Sequence, residues 1–213
     1  MAIDFTLAPE HQEIRDRVRA FVDDTIKPAI DPFGHRDEMQ GEAYRDYVRV
    51  LIELRGKASK AGLWLPHMPA EWGGMGLGHV ALAMVQAEAA RTRVGPWVLN
   101  CQAPDEGNMH TLLHWGTEEQ KQKYLKPLCD GTAMSCFAMT EPEVAGSDPT
   151  LIRTRAVQDG DEWVINGHKW FISNARRAKF AILVCRTEDD PDLPQAANTA
   201  FIVDIPSDGW NRV

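Results

Sequence analysis

The segment TEPEVAGSDP, residues 140–149, follows the small and apolar run AMSCFAM and presents a hydroxyl, two glutamates, a Gly-Ser pair and an aspartate. These residue types allow a grip on a phosphate or a carbonyl, an acid/base pair, or a capped turn between two prolines. The three acids, Glu141, Glu143 and Asp148, lie in a predicted loop, where their spacing fixes no geometry toward a substrate carbon. We therefore interpret them as solvated loop acids rather than as a general base.

The composition restricts the class of protein. The 213 residues suffice for one large domain or two small ones, and 44% are hydrophobic while 25% are charged. A formal net charge of −8 argues against nucleic-acid binding, because no basic surface is available to neutralise phosphates. No apolar run is long enough to span a membrane, and the start of the chain has the features of neither a secretory leader nor a transit segment. We therefore predict a cytoplasmic protein.

The cysteines and histidines of the sequence do not form a recognisable metal-binding motif. Four cysteines are scattered without metal-type spacing, at Cys101, Cys129, Cys136 and Cys185. We predict that they are reduced and mostly buried thiols. His110 and His114 have the i, i+4 spacing of helical metal ligands, but no HExxH pattern or third ligand accompanies them, so we predict no metal. Neither a GxGxxG motif nor a P-loop is present to hold a nucleotide-like cofactor.

The elements that must position these residues fall into two halves. Apolar residues recur at helical spacing over Pro9–Ile26, a helix that Pro28 helps to end. A second helix is predicted over Glu42–Ala61, with Gly62 as its C-cap, and helical spacing resumes at His79–Arg91.

Two shorter helices follow, in PDEGNMHTLLHWG and TEEQKQKYLKPLCDG. Thr117 is the predicted N-cap of the second, and Gln120 occupies the capping-box position. The proline-, glycine- and aromatic-rich stretch 63–78 is a predicted structured loop.

After Gly131 the helical spacing of apolar residues ends. Short β-rich segments follow, namely MSCFAMT, IRTRAVQ, EWVING, HKWFISN, KFAILVCRT and TAFIVDI. Asn166-Gly167 lies between two of them and predicts a tight hairpin, because both residue types tolerate positive φ. The sequence therefore predicts an α+β fold. An N-terminal α-helical domain over residues 1–131 precedes an antiparallel β domain over residues 132–213, which is incomplete at its C-terminal end.

Three stretches in this order resemble the acyl-CoA dehydrogenase family. The first, PAEWGGMGLG (residues 69–78), resembles the glycine loop of the family's helical domain. The second, GTEEQKQKYLKPLCDG…FAMTEPEVAGSD (residues 116–148), resembles the segment that leads into the family's β domain. The third, INGHKWFISNA (residues 165–175), resembles the family hairpin, so that the resemblance spans essentially the whole chain.

The resemblance implies an FAD-dependent acyl-CoA dehydrogenase that acts in fatty acid β-oxidation. In that reaction a carboxylate removes the α-proton of an acyl-CoA thioester, while the β-hydrogen leaves as hydride to flavin N5. The implied partners are the acyl-CoA substrate, an electron-transferring flavoprotein as acceptor, and further copies of the chain in a homo-oligomer. Family members add a C-terminal helical bundle that usually carries the catalytic glutamate, so the resemblance places the base beyond Val213 and implies weaker FAD affinity for residues 1–213 alone.

The resemblance also implies which residues contact the cofactor. Eight positions match the family's FAD-binding residues: Phe137, Met139, Thr140, Gly146, Ser147, Phe171, Ile172 and Ser173. Thr140 is expected to hydrogen-bond the pyrimidine edge and favour the negative charge of reduced flavin, while Ser173 is expected at N5. Phe171 is expected against the flavin ring, where the family usually has tryptophan, and Trp170 is either core or shares that contact.

At the phosphate side, Gly146 allows a close backbone approach, and the Ser147 hydroxyl is expected to meet phosphate or pantetheine groups of the cofactor or the substrate. The family's TEP-G-AGSD pattern is one residue longer here, as TEPEVAGSD. Two alternatives to a complete enzyme stay open at this point. One is a non-catalytic module that binds acyl-CoA, flavin or a protein, and the other is a subunit completed by another chain.

Overall fold

The computed structural model describes residues 6–34, 38–188, 192 and 197–212. The chain divides into two compact units, Met1–Glu106 and Gly107–Val213. This division falls inside the helix Asp105–Trp115, whereas the change in element type comes later, between the α-helix that ends at Cys129 and the strand that begins at Ser135. The domain boundary after residue 131 stays a prediction, because compactness and element type divide the chain at different places.

The described part of the first unit is helical. Its α-helices are α1 (Pro9–Phe21), α2 (Lys27–Ile30), α3 (Gly41–Lys60), α4 (His79–Ala89) and α5 (Gly95–Val98), with α6 (Asp105–Trp115) beginning at its end. The apolar stripes of α1, α3 and α4 form a shared core that fully buries Val18, Ala58 and Val85. No helix among the described residues combines the length and the apolar character that crossing a bilayer requires.

The first helix runs further than predicted. A π-helical turn, Val22–Ile26, follows α1 directly, and helical residues continue through Pro28 to Ile30. Proline lacks an N–H and clashes with the preceding turn of a regular α-helix. The widened π-turn just before it accommodates the ring, and a second π-turn, Lys121–Leu125, precedes Pro127 in the same way.

Several local predictions of the helical half are confirmed. Helix α3 matches the predicted second helix, and Gly62 follows it with a φ of +65°. Thr117 and Gln120 form the predicted capping box, with Gln120 N donating to Thr117 Oγ1 at 3.2 Å and Thr117 N donating to Gln120 Oε1 at 2.9 Å. All four cysteines are buried free thiols, as predicted.

The second unit combines short helices with one sheet. After α6 come α7 (Glu118–Gln120) and α8 (Lys126–Cys129), and the strands are β1 (Ser135–Ala138), β2 (Arg155–Asp159), β3 (Glu162–Asn166), β4 (Phe180–Arg186) and β5 (Asn198–Asp204). The central strand is β4, which pairs with β1, β2 and β5. The chain therefore has the predicted α+β class, a helical region followed by a sheet.

The sheet is mixed rather than antiparallel throughout. Strand β4 runs parallel to β1 and, at its last residue, to β2, while β2–β3 and β4–β5 are antiparallel. The prediction of an antiparallel domain assumed that neighbouring segments pair as hairpins. Because a long connection that includes the β2–β3 hairpin separates β1 from β4, the two strands are able to enter the sheet in the same direction.

The predicted hairpin at Asn166-Gly167 is wrong. The hairpin joins β2 to β3 through a two-residue loop, Gly160-Asp161, whose glycine has a φ of +62° at the first loop position, as a type II′ turn requires. Asn166 is the last residue of β3, and the segment HKWFISN is irregular, with a turn beginning only at Ser173, instead of a strand. Positive φ values at Phe171 (+54°) and Asn174 (+67°) are incompatible with extended strand geometry.

We predict that Gly167→Ala destabilises the protein by about 1–3 kcal/mol, for a packing reason rather than a turn reason. A methyl group at Gly167 would overlap the buried side chain of Thr154, which has no room to move away. The measurement is the free energy of unfolding in urea. Gly107→Ala is the control, because no atom lies near its added methyl group and alanine favours the helix by up to about 1 kcal/mol. Equal stability of the wild type and Gly167→Ala would contradict the packing.

Candidate functional site

Two separate segments of the second unit meet beside the end of β1. One is the strand exit Met139–Glu141, and the other is the irregular segment Lys169–Ser173. Thr140 Oγ1 donates to the Trp170 carbonyl at 2.7 Å, and the Trp170 N–H donates back to the Thr140 carbonyl at 3.1 Å. This reciprocal pair joins the two stretches that the sequence predicts to contact a cofactor.

A buried carboxylate forms the second link between these segments. The Glu141 side chain is 4% exposed and Lys169 is 9% exposed, with Lys169 Nζ 2.8 Å from Glu141 Oε1. Glu141 Oε1 also accepts from Thr154 N at 2.8 Å and Thr154 Oγ1 at 2.6 Å, while Oε2 accepts from Arg153 N at 2.8 Å. Lys169 donates a further bond of 2.8 Å to the Met139 carbonyl. Both carboxylate oxygens are therefore hydrogen-bonded inside the protein.

The interpretation of Glu141 as a solvated loop acid is wrong. Burial by itself would raise the pKa of Glu141, but the hydrogen bonds from Lys169, Thr154 and the Arg153 backbone together lower its pKa to about 2. The side chain is therefore a fixed carboxylate at neutral pH. The partners lie 28 and 13 residues away along the chain, so the local spacing of acids gave no signal for the pairing.

The other two acids of the segment match the interpretation more closely. The Glu143 side chain is 71% exposed and pairs with Arg153 Nη1 at 2.8 Å. Asp148 accepts from Thr150 N at 3.0 Å and from Thr150 Oγ1 at 2.6 Å, which caps a short 3-10 turn. Both carboxylates are therefore engaged by nearby residues of the chain, and the absence of a catalytic role for them stays a prediction.

A cleft of about 530 Å³ lies next to the joined segments. Residues 167–172 line one wall, residues 207–212 line another, and side chains of the sheet such as Leu183 form its floor. The rings of Trp170 and Phe171 lie 4.4 Å apart between centroids, tilted by 30°. Phe171 is 83% exposed and Trp170 is 41% exposed, so Trp170 is not a core residue and the pair presents an aromatic surface at the cleft.

The structure brings some of the eight predicted cofactor residues together. Phe171 and Ile172 line the cleft, and Thr140 is bonded to Trp170 beside them. Gly146 lies against Thr140, since a Cβ at Gly146 would be 3.0 Å from Thr140 Cγ2. Gly146 therefore packs closely against Thr140, and its approach to a cofactor stays a prediction.

The other predicted residues are placed differently. Ser147 and Ser173 are exposed, and Met139 contributes its carbonyl to Lys169. Phe137 pairs with Ile182 in β1–β4, one position before Ala138 and Leu183, which line the cleft. Because successive strand residues point to opposite faces, Phe137 lies on the other face of the sheet. The cofactor roles of all eight residues stay predictions.

The two histidines of α6 stack on each other. The His110 and His114 rings are 6.2 Å apart between centroids, with an interplanar angle of 13°. The absence of a metal there stays a prediction.

Comparison with known proteins identifies two matching domain families. Residues 8–132 match the acyl-CoA dehydrogenase N-terminal domain, and residues 136–211 match the acyl-CoA dehydrogenase middle domain. The chain therefore belongs to the acyl-CoA dehydrogenase family.

The similar proteins agree with this family. Human acyl-CoA dehydrogenase family member 11 is 38% identical over 190 residues, which is 87% of this chain and 24% of the human protein. The structure of an acyl-CoA dehydrogenase from Mycobacterium abscessus is 33% identical with a TM-score of 0.87, covering 96% of this chain and 52% of that one.

A glutaryl-CoA dehydrogenase from Mycobacterium smegmatis, solved in complex with FADH2, is 26% identical with a TM-score of 0.71, covering 96% of this chain and 48% of that one. The chain thus spans about half of the two solved structures and about a quarter of the human relative.

We predict that Glu141 makes stability depend on pH below its ordinary pKa of 4.5. Its pKa in the folded state is lowered to about 2, so the unfolded state binds the proton more tightly. The stabilisation is complete above about pH 4.5 and is lost as the pH falls toward 2. Glu141→Gln is expected to lower stability at neutral pH. It is also expected to reduce the loss of stability as the pH falls below about 4.5.

The measurement is the urea midpoint at a series of pH values from about 7 to 3. Glu143→Gln is the matched control, because it removes the same charge from an exposed position and is expected to follow the wild type. If the urea midpoint of Glu141→Gln falls with acid pH as steeply as that of the wild type, the pH dependence does not come from Glu141.

Proposed function

We propose that this chain is the FAD-binding part of an acyl-CoA dehydrogenase that oxidises an acyl-CoA thioester between its α and β carbons. The observation that carries the proposal is the exposed Trp170–Phe171 surface at the cleft, held to the strand exit by the reciprocal Thr140–Trp170 hydrogen bonds. Family membership and the FADH2 complex of the similar glutaryl-CoA dehydrogenase support the choice of FAD.

The residues present fit a flavin. Phe171 offers an uncovered aromatic face for a planar ring, and its left-handed backbone, with a φ of +54°, turns the side chain outward at a cost of about 1–3 kcal/mol. Strain of this size persists where the surrounding structure enforces it, and it is concentrated at ligand sites. FAD supplies the hydride acceptor, which no protein side chain provides.

Two further predicted residues, Ser173 and Thr140, take defined roles in this proposal. The Ser173 hydroxyl is exposed near the aromatic pair and is able to donate a hydrogen bond to the ring edge. Thr140 donates its single proton to the Trp170 carbonyl, so in this arrangement it offers only lone pairs to a ligand. Stabilisation of reduced flavin by Thr140 therefore requires the hydroxyl to turn away from Trp170.

The proton-abstracting base is not assigned to the acids of the TEPEVAGSD segment. Glu141 is saturated with hydrogen bonds and has a pKa of about 2, far below the operating range of an efficient general base. The acyl group, an electron-transferring flavoprotein as acceptor, a homo-oligomer, a role in β-oxidation and a cytoplasmic location stay predictions from the family resemblance.

We predict that FAD binds the 213-residue chain and that Ser173→Ala weakens this binding about 2- to 12-fold, the worth of one hydrogen bond. The measurement is quenching of flavin fluorescence over a titration that extends to high protein concentration, with unfolding monitored separately. Ser59→Ala on α3 is the control and is expected to leave FAD affinity unchanged. Absence of saturable binding would overturn the FAD proposal, whereas equal affinity of Ser173→Ala would remove only Ser173 from the site.

Turnover separates the enzyme from the two alternatives. The chain is incubated with FAD and an acyl-CoA series, and an artificial electron acceptor reports oxidation. Turnover by the chain itself is expected only if a base lies within these residues. FAD binding without turnover favours the non-catalytic module or the subunit completed by another chain, and a second chain that restores turnover would select the latter.

A further inference from the structure

We propose that Lys169 is a positioning residue, which fixes the aromatic surface and the strand exit as one rigid cofactor face. This inference rests on the proposed function, because the face matters only if a flavin occupies it. Lys169 is not one of the residues predicted to contact the flavin. Its ammonium group bonds inside the protein, to the Met139 carbonyl and the Glu141 carboxylate.

The geometry gives Lys169 a bridging role. Its Nζ atom lies 2.8 Å from both the Met139 carbonyl and Glu141 Oε1, so one side chain holds the backbone just before Thr140 and the side chain just after it. Along its own segment, Lys169 directly precedes Trp170 and Phe171. The ammonium group and the Thr140–Trp170 pair therefore restrain the same two segments from adjacent positions.

A third contact anchors the same segment from its N-terminal side. Gly167 packs so closely on Thr154 that no side chain would fit there, and Thr154 Oγ1 donates to Glu141 Oε1 at 2.6 Å. Gly167 and Lys169 are thus both held by the Glu141 cluster. Beyond this anchor, Phe171 and Ser173 are exposed and flank Ile172, which packs against the buried core of the sheet. Their position therefore depends on this packing and on the anchored residues that precede them.

Energetics favour positioning over stability as the role of the ion pair. Removing two charges from water is costly, and a buried ion pair is often no more stabilising than apolar residues of similar volume. The ion pair does fix the orientation of the segments it joins. An ammonium group with two fixed acceptors holds one geometry, whereas an apolar contact tolerates several. Lys169 is 9% exposed, so water offers it little alternative.

The test compares Lys169→Met, which keeps the length of the side chain but removes its charge, with Lys169→Arg, which keeps the charge. Lys126→Met is the matched control, because it removes a lysine from an exposed pair with Asp130 in the same unit. If Lys169→Met does not fold, the double variant Lys169→Met/Glu141→Gln replaces it, since it removes both buried charges together.

Two readouts are used on folded protein. Hydrogen exchange at the Trp170 amide, which is bonded to the Thr140 carbonyl, is expected to accelerate about tenfold in Lys169→Met. The Kd for FAD is expected to rise about tenfold, with a loss of fine structure in the visible band of bound flavin. Lys169→Arg is expected to recover FAD affinity to within about threefold of the wild type, and Lys126→Met to match the wild type.

The outcomes distinguish the two proposals. A purely structural role would lower the midpoint of unfolding and leave both the Kd and the flavin spectrum of the folded fraction unchanged, which would overturn the positioning role. Equal exchange at Trp170 in Lys169→Met and Lys126→Met would also overturn it. If the wild type binds no FAD, the proposed function fails, and the exchange result alone then supports or overturns the bridge.

Discussion

The carboxylate of Glu141 lies where three distant parts of the second unit converge: the exit of β1, the approach to β2 and the segment that carries Trp170 and Phe171. A charge at such a position is tolerated only when the protein replaces the water it has lost. Two backbone N–H groups, one hydroxyl and one ammonium group do so here. Together with the Thr140–Trp170 pair and the Lys169 bond to the Met139 carbonyl, this ion fixes the strand exit to the segment that forms the cleft wall.

The contacts around Glu141 support the aromatic surface formed by Trp170 and Phe171. Phe171 adopts a backbone conformation that large side chains seldom occupy, and it does so with 83% of its surface exposed. Burial therefore does not compensate for the strain. The restraint comes from both sides: the preceding residues are hydrogen-bonded to Thr140 and Met139, and the following residue, Ile172, packs against the core of the sheet. A ring held in this way is ready to meet a planar ligand without first losing conformational entropy.

Much of the fold could be predicted from local patterns, and the failures have a common physical origin. Periodicity located α1, α3 and α4, and cap chemistry placed the ends at Gly62 and Thr117, because both signals arise within a few residues of each other. The hairpin was misplaced because Asn166-Gly167 and Asp159-Gly160 carry similar turn signals. The structure places the turn at Gly160-Asp161 and packs Gly167 against Thr154, a long-range contact that no local pattern records.

The candidate site shows the same contrast between local signals, which could be read from the sequence, and long-range contacts, which could not. The resemblance indicated the stretches TEPEVAGSD and WFIS, and the structure brings Thr140 and Phe171 close together through Trp170. The pairing of Glu141 with Lys169 was missed, because charged residues in a polar loop have no periodicity and their separation of 28 residues gives no spacing rule. The direction of β1 and β4 was missed for a related reason, since strand polarity depends on the path of the intervening chain.

The parallel pairing of β1 with β4 has a consequence for the order in which the second unit forms. The β2–β3 hairpin closes only two residues, so it is able to form early and locally. Strand β1 meets β4 only after the whole stretch from Met139 to Lys179 has been enclosed, which delays that step by the entropy of closing a long loop. This stretch contains both the strand exit and the aromatic pair. We therefore expect the two segments to which the proposed function assigns the cofactor to come together after the hairpin has formed.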